Sequence, residues 1–300
     1  MSESIQNAEA LSHFSKDADR WAEAVRSSNR DRVNVSALRL EYVMSIAKAL
    51  SACDIFVDVG CGAGELVCDI ATLGGECYGI DFADEMLEHG RQLAAQKDLP
   101  NATFLHGKFE DFDLGKGKVN LISANGLVEY LSIDQNREFF AWASTQLTED
   151  GVFTFSIRNR LYNLFSLNEF TDREVRAGTA LDLLNEALTI ARGIKTSEIL
   201  DAVTPPPLET EAEIHPPTND INVSVRHMFT PSQIAMLLKE AGFRMTNVYP
   251  CHIHPSQPAL RAAQPKMHAM LSYALQEHVD ELPHLITQSS ALMIKAEILR

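Results

Sequence analysis

The chain has 300 residues, of which 45% are apolar and 22% are charged, and this is enough to build the core of one large α/β domain. Its formal net charge is −15, from 26 basic and 41 acidic side chains. A surface of this sign repels phosphate backbones, so the composition argues against nucleic acids and anionic membranes as partners. The composition sets no oligomeric state, and a homodimer is one of the states it leaves open.

The cysteines and the apolar runs indicate the compartment. The five cysteines are odd in number, and no two of them have the C-x-x-C spacing of a redox or zinc motif. The amino terminus has no apolar stretch typical of a signal peptide, and no apolar run reaches the length of a transmembrane helix. These features predict a soluble cytoplasmic protein with reduced thiols and no structural zinc.

The first 52 residues are predicted to form a helical extension. Apolar residues recur at spacings of three and four from Leu11 to Val25, and again from Leu38 to Leu50. The polar stretch 27–32 between them is typical of a loop. Arg30, Arg32 and Arg39 in this region are candidates to reach an anionic group of a ligand, although each could equally be a solvated surface arginine.

The most informative segment follows, and it reads IFVDVGCGAGELVCDIATLGGECYGIDFADEM from Ile55 to Met86. The apolar run at its start is typical of a buried parallel strand. Glycines then allow a sharp turn and a close approach of the backbone to a ligand, and the helix that begins near Glu65 favours an anion at its N-terminus. Asp81 follows the next strand, where a carboxylate can accept the hydroxyl hydrogens of a ribose. The segment predicts a nucleoside site.

The spacing of the glycines separates two kinds of nucleoside site. A dinucleotide fingerprint requires a third glycine at position 65, where this chain has Glu65. The observed pattern is an acid followed by G-x-G-x-G. The stretches VDVGCGAGEL and GIDFADEML resemble the first two motifs of the class I S-adenosylmethionine-dependent methyltransferases. A tight turn in another kind of α/β protein is the alternative reading of the glycines.

Strands and helices alternate after this segment, which is typical of a doubly wound α/β sheet. The resemblance implies a Rossmann-like fold with a seven-stranded, mostly parallel sheet. Asp150 and Gly151 are predicted to form the turn into the fifth strand. Thr230 is a plausible N-cap and Pro231 a first-turn residue of a late helix that ends at Gly242. We expect strands at 55–59, 76–80, 103–106, 119–124, 151–157, 243–249 and 291–298, and helices at 64–73, 83–96, 134–147, 179–193 and 265–279.

Two segments are too long to be ordinary connections, and we expect them to form lids over the ligand edge of the sheet. The first is 158–229, and its proline-rich part, 201–226, must be irregular whether or not it is ordered. The second is 251–289. The predicted organisation is therefore a helical extension (1–52), a cofactor-binding core (53–157), a first insertion (158–229), and a carboxyl-terminal part (230–300) that carries the second insertion.

The resemblance implies a cofactor, S-adenosylmethionine, which leaves as S-adenosylhomocysteine, and it implies positions for the residues around it. The methionine part would lie along Asp58, Gly60, Gly62 and Gly64. Asp81 would hold the ribose, although an acid after a strand can also cap a helix. The remaining expected cofactor residues are Phe82 and Met86 beside the adenine, Lys108, Phe109 and Glu110 after the third strand, and Asn125 and Gly126 near the methyl group.

Four residues are candidate proton acceptors. His252 and His254 would lie on one side of an extended segment, as a general base with a helper or as a metal pair. No third ligand has a convincing spacing, so no metal is expected. His227 and Glu129 are the other two candidates, and each has a structural alternative: a hydrogen-bonded loop histidine and a charge at a helix N-terminus.

The acceptor of the methyl group is the least determined feature. Tyr130, Arg158, Asn159, Arg160 and Tyr162 follow strands at the productive edge of the sheet, where arginines could clamp a carboxylate or a phosphate. The resemblance and the insertions predict a methyltransferase that acts on O, N or C of a small, metabolite or sugar-like acceptor. A non-catalytic binding or scaffold protein and a protein methyltransferase are the alternatives.

Overall fold

The computed structural model describes residues 30–50, 53–114, 116–208 and 226–299. Two features named above lie outside these ranges. They are the predicted helix over 11–25 and most of the proline-rich stretch, which contains His215. Seven strands form one sheet in the order β3-β2-β1-β4-β5-β7-β6. Six of them run in the same direction, and β7 runs in the opposite direction. This confirms the predicted seven-stranded, mostly parallel sheet. The strands are β1 (Ile55–Val59), β2 (Glu76–Asp81), β3 (Ala102–His106), β4 (Val119–Ala124), β5 (Leu147–Arg158), β6 (Phe243–Pro250) and β7 (Ala291–Ile298).

Both faces of the sheet are covered, because its central strands are apolar on both sides. One apolar cluster joins β1 to three helices, α1, α2 and α3. The buried residues of α1 in this cluster include Val43 and Ile46. On the other face, Phe139 and Phe140 of α4 pack against Phe153 of β5. The helices of these layers are α1 (Val35–Ala49), α2 (Glu65–Ala71), α3 (Asp84–Gln96) and α4 (Ile133–Gln146).

The fifth strand begins earlier than the sequence indicates. Asp150 and Gly151 lie inside β5 and not in a turn, because Leu147 already pairs with Val119 of β4. The register shifts between Val119 and Leu121, so the strand contains a bulge where the Asp–Gly step predicts a turn. A polar stretch that contains a glycine is typical of a turn and of a β-bulge alike, so the sequence does not distinguish them.

The first insertion is more helical than predicted. In the described residues it contains α6 before the expected helix α7, and both precede the proline-rich stretch. The part of that stretch up to residue 208 is held against the core, since Gln233 Nε2 donates to the carbonyls of Pro206 and Pro207 at 3.1 and 2.8 Å. The helices of this insertion are α5 (Asn163–Ser166), α6 (Glu169–Ala177), α7 (Ala180–Ala191) and α8 (Ile199–Ala202).

The last helices follow their sequence signals. The N-cap of α9 is Thr230, whose side chain accepts from the Gln233 backbone, and Pro231 stands in the first turn. The second insertion leaves the sheet after β6 and returns at β7. In the described parts of the chain, no helix is long and apolar enough to cross a bilayer. These helices are α9 (Pro231–Glu240), α10 (Pro258–Ala263) and α11 (Pro265–Gln276).

Candidate functional site

A cavity of about 930 Å³ lies at the carboxyl ends of β1, β2, β4 and β5. Ligands of open α/β sheets bind at this edge, where the loops after the strands meet. The wall on one side is the glycine turn and Asp81, and the wall on the other side comes from the two insertions. One continuous cavity therefore joins most of the predicted cofactor residues to most of the predicted acceptor residues.

The glycine turn has the backbone conformation that its sequence requires. Gly60, Gly62 and Gly64 have φ values of +70°, +54° and +76°, in the left-handed region that favours glycine. Gly60 and Gly62 line the cavity, but Gly64 is the N-cap of α2 and packs against the ring of Phe104. The first two glycines thus shape the ligand wall, and the third allows the helix to approach β3.

Asp81 is fixed by two backbone N–H groups, both at 2.9 Å. The Gly62 N–H donates to Oδ2 and the Ala83 N–H to Oδ1. Each oxygen keeps a further lone pair, so the carboxylate can also accept two hydroxyl groups from the cavity. Burial raises the pKa of Asp81, and the backbone donors oppose this shift.

Asp58 is fully buried beside Asp81 and accepts a hydrogen bond from Ser123 Oγ at 2.5 Å. Burial raises its pKa to about 7, while the bond from Ser123 opposes the rise and the charge of Asp81 adds to it. The carboxylate of Asp81, together with Asp58 when it is ionised, gives this end of the cavity a negative potential. A cationic ligand group is favoured there.

The loop after β4 presents unpartnered polar atoms to the cavity. Asn125 Oδ1 and Nδ2 are both buried and have no hydrogen-bond partner. The Gly126 N–H donates to Ser156 Oγ at 2.7 Å, and a side chain at Gly126 would lie 3.4 Å from Arg39 Nη1. Buried polar atoms without partners are rare in folded proteins, and here they favour a ligand that supplies the missing bonds.

Three predicted cofactor residues besides Gly64 lie outside the cavity. Lys108 and Glu110 are exposed, and the Lys108 N–H donates to the carboxylate of Asp111. Phe109 is buried in the core, 5.0 Å from the ring of Phe139. The structure therefore brings together Asp58, Gly60, Gly62, Asp81, Phe82, Met86, Asn125 and Gly126, and it leaves Lys108, Phe109, Glu110 and Gly64 apart from them.

Arginines surround a buried carboxylate at the other end of the cavity. Arg226 Nη2 lies 2.5 Å from Glu129 Oε1, and both side chains are buried. Burial alone would raise the pKa of Glu129, but the charges of Arg226, Arg158 and Arg39 outweigh it and lower the pKa to about 2. Glu129 is therefore a weak proton acceptor in this environment.

The charge balance of this cluster is positive. The pKa of Arg158 falls to about 10 because of its burial and the nearby Arg226, so its guanidinium is still charged at neutral pH. Three arginines face one carboxylate in a chain whose net charge is −15. Arg158 Nε and Arg39 Nε are buried without a partner. An anionic group in the cavity would meet unpaired donors here.

The other predicted acceptor residues divide into two groups. Tyr130 and Tyr162 line the cavity, and Arg226 lies over the Tyr130 ring at 5.2 Å. Asn159 also reaches the wall, although its amide donates to the carbonyls of Ile286 and Ser289. Arg160 does not line the cavity, because Glu174 binds it through two bonds of 2.9 and 2.8 Å in the first insertion.

The predicted histidine pair lies on the wall formed by the second insertion. The rings of His252 and His254 are 4.1 Å apart, and both line the cavity. Burial lowers the pKa of His252 to about 3 and that of His254 further, and neighbouring His268 and Arg261 contribute. His227, the remaining candidate, lies outside the cavity, and its backbone N–H donates to the Glu129 carbonyl at 2.7 Å.

Sequence reasoning missed several residues of this site. Arg226 follows the proline-rich stretch, and Arg261 and His268 belong to helices of the second insertion. None of the three stands in a motif, so their spacing along the chain carries no signal for the cavity. Ser290, at the start of β7, was also missed, although it accompanies the histidine pair.

Comparisons with known proteins agree with this geometry. A family model described as a methyltransferase domain matches residues 56–151, which span β1 to the first half of β5. Over 162 residues the chain is 27% identical to a probable cobalt-precorrin-6B C(15)-methyltransferase (decarboxylating) of Methanocaldococcus jannaschii, and this match covers 51% of the chain and 86% of the relative.

A second group of relatives matches over a shorter stretch. The chain is 30% identical over 142 residues to a ubiquinone biosynthesis O-methyltransferase of Actinobacillus pleuropneumoniae, which covers 44% of the chain and 57% of the relative. Matches to enzymes of the same name from another strain and from other bacteria cover between 36% and 57% of those relatives. The residues matched by the family model, 56–151, contain the glycine turn and Asp81 and neither of the two insertions.

Solved structures share the fold over nearly the whole chain. The magnesium protoporphyrin IX methyltransferase of Synechocystis PCC 6803 with bound SAH aligns with a TM-score of 0.55 at 13% identity and covers 98% of this chain and 99% of its own. An S-adenosylmethionine-dependent methyltransferase of Clostridium acetobutylicum aligns with a TM-score of 0.55 at 12% identity, over 95% and 98% of the two chains.

Fold and site together define a Rossmann-like protein with a nucleoside cavity at the carboxyl edge of its sheet. Residues 56–151 match a methyltransferase domain, the whole fold is shared with solved S-adenosylmethionine-dependent methyltransferases, and together they identify the protein as an enzyme of this kind. The family predicted from the two motifs is confirmed, and with it the fold, the enzyme class and the cofactor.

Proposed function

We propose that the protein transfers a methyl group from S-adenosylmethionine to a small-molecule acceptor that carries a carboxylate or a phosphate. The observation that supports this proposal is the continuous cavity, which has the glycine turn and Asp81 at one end and an excess of buried arginines at the other.

The cofactor fits the wall made by β1, β2 and β4. The free lone pairs of Asp81 suit the two ribose hydroxyls, and Phe82 and Met86 suit the adenine ring. Asp58, Gly60 and Gly62 would lie along the methionine part, where the two buried acids favour the cationic amino and sulfonium groups. Asn125, Gly126 and Arg39 would meet the methionine carboxylate and the methyl end.

The acceptor fits the wall made by the insertions. Arg226 is already paired with Glu129, so Arg158 and Arg261 are the cavity arginines that we assign to an anionic acceptor group. A bidentate guanidinium–carboxylate or guanidinium–phosphate contact fixes both position and orientation. The negative charge of the whole chain makes it improbable on electrostatic grounds that this wall recognises a nucleic acid.

Catalysis in this site would rest on positioning. Bound S-adenosylmethionine supplies an activated methyl group, and the protein must align the acceptor with it and exclude water. The acceptor's electron pair forms the new bond to carbon while the carbon–sulfur pair returns to sulfur. The pKa values of Glu129 and His252, about 2 and 3, make both weak bases, so we assign neither a proton-abstraction step. An amine or an acidic hydroxyl group is the kind of acceptor that depends least on a general base.

Two features support a small acceptor over a folded macromolecule. Residues from both insertions roof the cavity, and pockets of this size suit metabolites. The relatives named above carry the names of precorrin and ubiquinone-pathway methyltransferases. The odd number of cysteines and the absence of C-x-x-C spacing support a reducing, cytoplasmic location. A protein substrate and a purely cofactor-binding role are the alternatives.

Incubation with methyl-labelled S-adenosylmethionine and a desalted or complete cell extract tests the proposal. We expect label in anionic small molecules with the complete extract and little label with the desalted extract. The matched control is Asp81→Ala, which should transfer none. Label in polypeptide would overturn the proposal in favour of a protein methyltransferase, and no transfer despite cofactor binding would overturn it in favour of a binding protein.

A further inference from the structure

The wall formed by the second insertion contains three imidazoles in one cluster. His252 and His254 come from the segment after β6, and His268 comes from α11. One ligand nitrogen of each ring lies within 4.8 Å of the others. We propose that His252, His254 and His268 form a binding site for a first-row transition-metal ion such as Zn²⁺, with one coordination position facing the cavity.

The spacing of two of the three nitrogens fits a tetrahedral metal site. His252 Nε2 and His268 Nε2 lie 3.4 Å apart. Zinc–nitrogen bonds of about 2.0–2.1 Å at tetrahedral angles separate two ligand nitrogens by about 3.3–3.4 Å. The same distance is long for a hydrogen bond, which usually measures about 2.7–3.2 Å. The two rings are therefore better placed to share a metal than to share a proton.

Ser290 holds the His254 ring by a hydrogen bond. Its Oγ lies 2.8 Å from His254 Nε2, and it lies at a longer distance, 3.4 Å, from His252 Nδ1. When His254 Nε2 donates to Ser290, the lone pair of that ring remains on Nδ1, and the tautomer of His252 with its proton on Nδ1 keeps a lone pair on Nε2. Metal-binding histidines commonly have their second nitrogen held in this way by a polar neighbour.

One of those lone-pair nitrogens is an orphan in the structure. His254 Nδ1 is buried and has no hydrogen-bond partner. His268 Nδ1 is likewise buried and unpartnered, so this ring, too, has a nitrogen that the protein does not satisfy. Buried polar atoms usually have partners, and a bound ion would supply one for His254. This observation is independent of the nitrogen distances.

The ligand types indicate which ions would bind. Three imidazole nitrogens without a carboxylate suit Zn²⁺, Co²⁺, Ni²⁺ or Cu²⁺, and they do not suit Mg²⁺ or Ca²⁺, which prefer oxygen. Three protein ligands leave a fourth position open, as in catalytic zinc sites. His252 and His254 line the cavity, so the open position faces the space that a small molecule would occupy.

Arg261 is the one described cationic side chain that lowers the pKa values of all three histidines, and its charge also opposes a metal cation. An anionic fourth ligand would offset this repulsion. Removal of the charge in Arg261→Gln should therefore tighten metal binding. A cluster of hydrogen-bonded histidines without a metal would show no such dependence.

Titration of untagged, chelator-stripped protein with Co²⁺ tests the proposal directly, because tetrahedral Co²⁺ has a visible absorption spectrum. We expect one equivalent to bind, Zn²⁺ to displace it, and no comparable binding of Mg²⁺. Competition with a chromophoric chelator gives the affinity. The readout does not depend on methyl transfer, so it stays informative if the acceptor proposed above is wrong.

Variants separate the cluster from other metal-binding histidines. His252→Gln and His268→Gln should each abolish the Co²⁺ spectrum, and Ser290→Ala should weaken binding roughly 10- to 100-fold. His284→Gln, at an exposed histidine near the same insertion, is the matched control and should bind like the wild type. Binding of S-adenosylhomocysteine by each variant checks that it is folded. Wild-type protein that binds no Co²⁺, or a His268→Gln variant that binds it unchanged, would overturn the proposal.

Discussion

The guanidinium of Arg226 and the carboxylate of Glu129 form a buried ion pair between parts of the chain that are 97 positions apart. Glu129 belongs to the loop after β4, and Arg226 is the first described residue after the proline-rich stretch. The adjacent His227 N–H donates to the Glu129 carbonyl at 2.7 Å. The pair therefore anchors the end of the first insertion at the acceptor wall.

Removal of Glu129 alone should lower the free energy of unfolding more than removal of both Glu129 and Arg226. Glu129→Leu leaves three arginines facing one another, and an uncompensated buried charge typically costs about 3–5 kcal/mol of the free energy of unfolding. The double variant with Arg226→Met reduces the repulsion among the arginines that remain and should recover part of that loss. Denaturant unfolding of the two single variants and the double variant measures this. A Glu129→Leu variant as stable as the wild type would contradict the account.

Asp58 should make the stability of the protein depend on pH. Its pKa rises from an ordinary 3.8 to about 7 on folding, so the folded form favours the protonated acid. The stabilisation that protonated Asp58 adds to the free energy of unfolding is complete below about pH 4 and is lost as the pH rises through 7. Relative to Asp58→Asn, which has no charge to lose, the wild type should become less stable between pH 5 and 8. Urea unfolding measures the difference in the free energy of unfolding between the wild type and Asp58→Asn. A difference that stays constant across this range would contradict the raised pKa.

Two glycines of the turn should respond differently to alanine. Both would have a left-handed φ, which costs a non-glycine residue about 1–2 kcal/mol. At Gly64 the new methyl group would also overlap the Phe104 ring, whereas at Gly62 it would lie 3.5 Å from Met86. Gly64→Ala should therefore lose about 1–3 kcal/mol more of unfolding free energy than Gly62→Ala. Equal losses in thermal or denaturant unfolding would contradict the packing at Gly64.

Arg158 should act on the acceptor and not on the cofactor. Its Nε is buried without a partner and its side chain lines the acceptor wall. A charge-assisted hydrogen bond contributes about 1.5–3 kcal/mol, so Arg158→Gln should raise the KM for the acceptor about 10- to 100-fold. Arg192→Gln, at an exposed arginine, is the control. A Kd for S-adenosylhomocysteine that weakens as much as the KM would contradict this division of roles.

The cofactor half of the protein could be predicted from its sequence because its signals are local. The residues of β1, the glycine turn and Asp81 all lie between positions 55 and 81, and each has a backbone or burial requirement that limits which residue types can stand there. The same reasoning misplaced the start of β5, since the Asp150–Gly151 step is equally compatible with a turn and with a bulged strand. Local signals define the elements but not always their ends.

The acceptor half could be predicted only in part, because tertiary contacts assemble it. Arg158 is the last residue of β5, and the pair His252 and His254 follows β6, and these positions placed them at the right edge of the sheet. His268 reaches the pair from a helix 16 positions from His252, and Arg226 reaches Glu129 across the insertion. Nothing in their spacing determines how the insertions pack, so only the structure brings them to the cavity.

The central claim is that S-adenosylmethionine occupies the cavity through Asp81. Calorimetric titration with S-adenosylhomocysteine measures this most directly for the wild type, for Asp81→Asn, and for Asp84→Asn as the matched control at an exposed acid on α3. We predict one equivalent of binding by the wild type and by Asp84→Asn, and a Kd about 10- to 100-fold weaker for Asp81→Asn, since charge-assisted hydrogen bonds to the ribose are weakened. Equal affinity of the Asp81→Asn variant, or no binding by the wild type, would contradict the account.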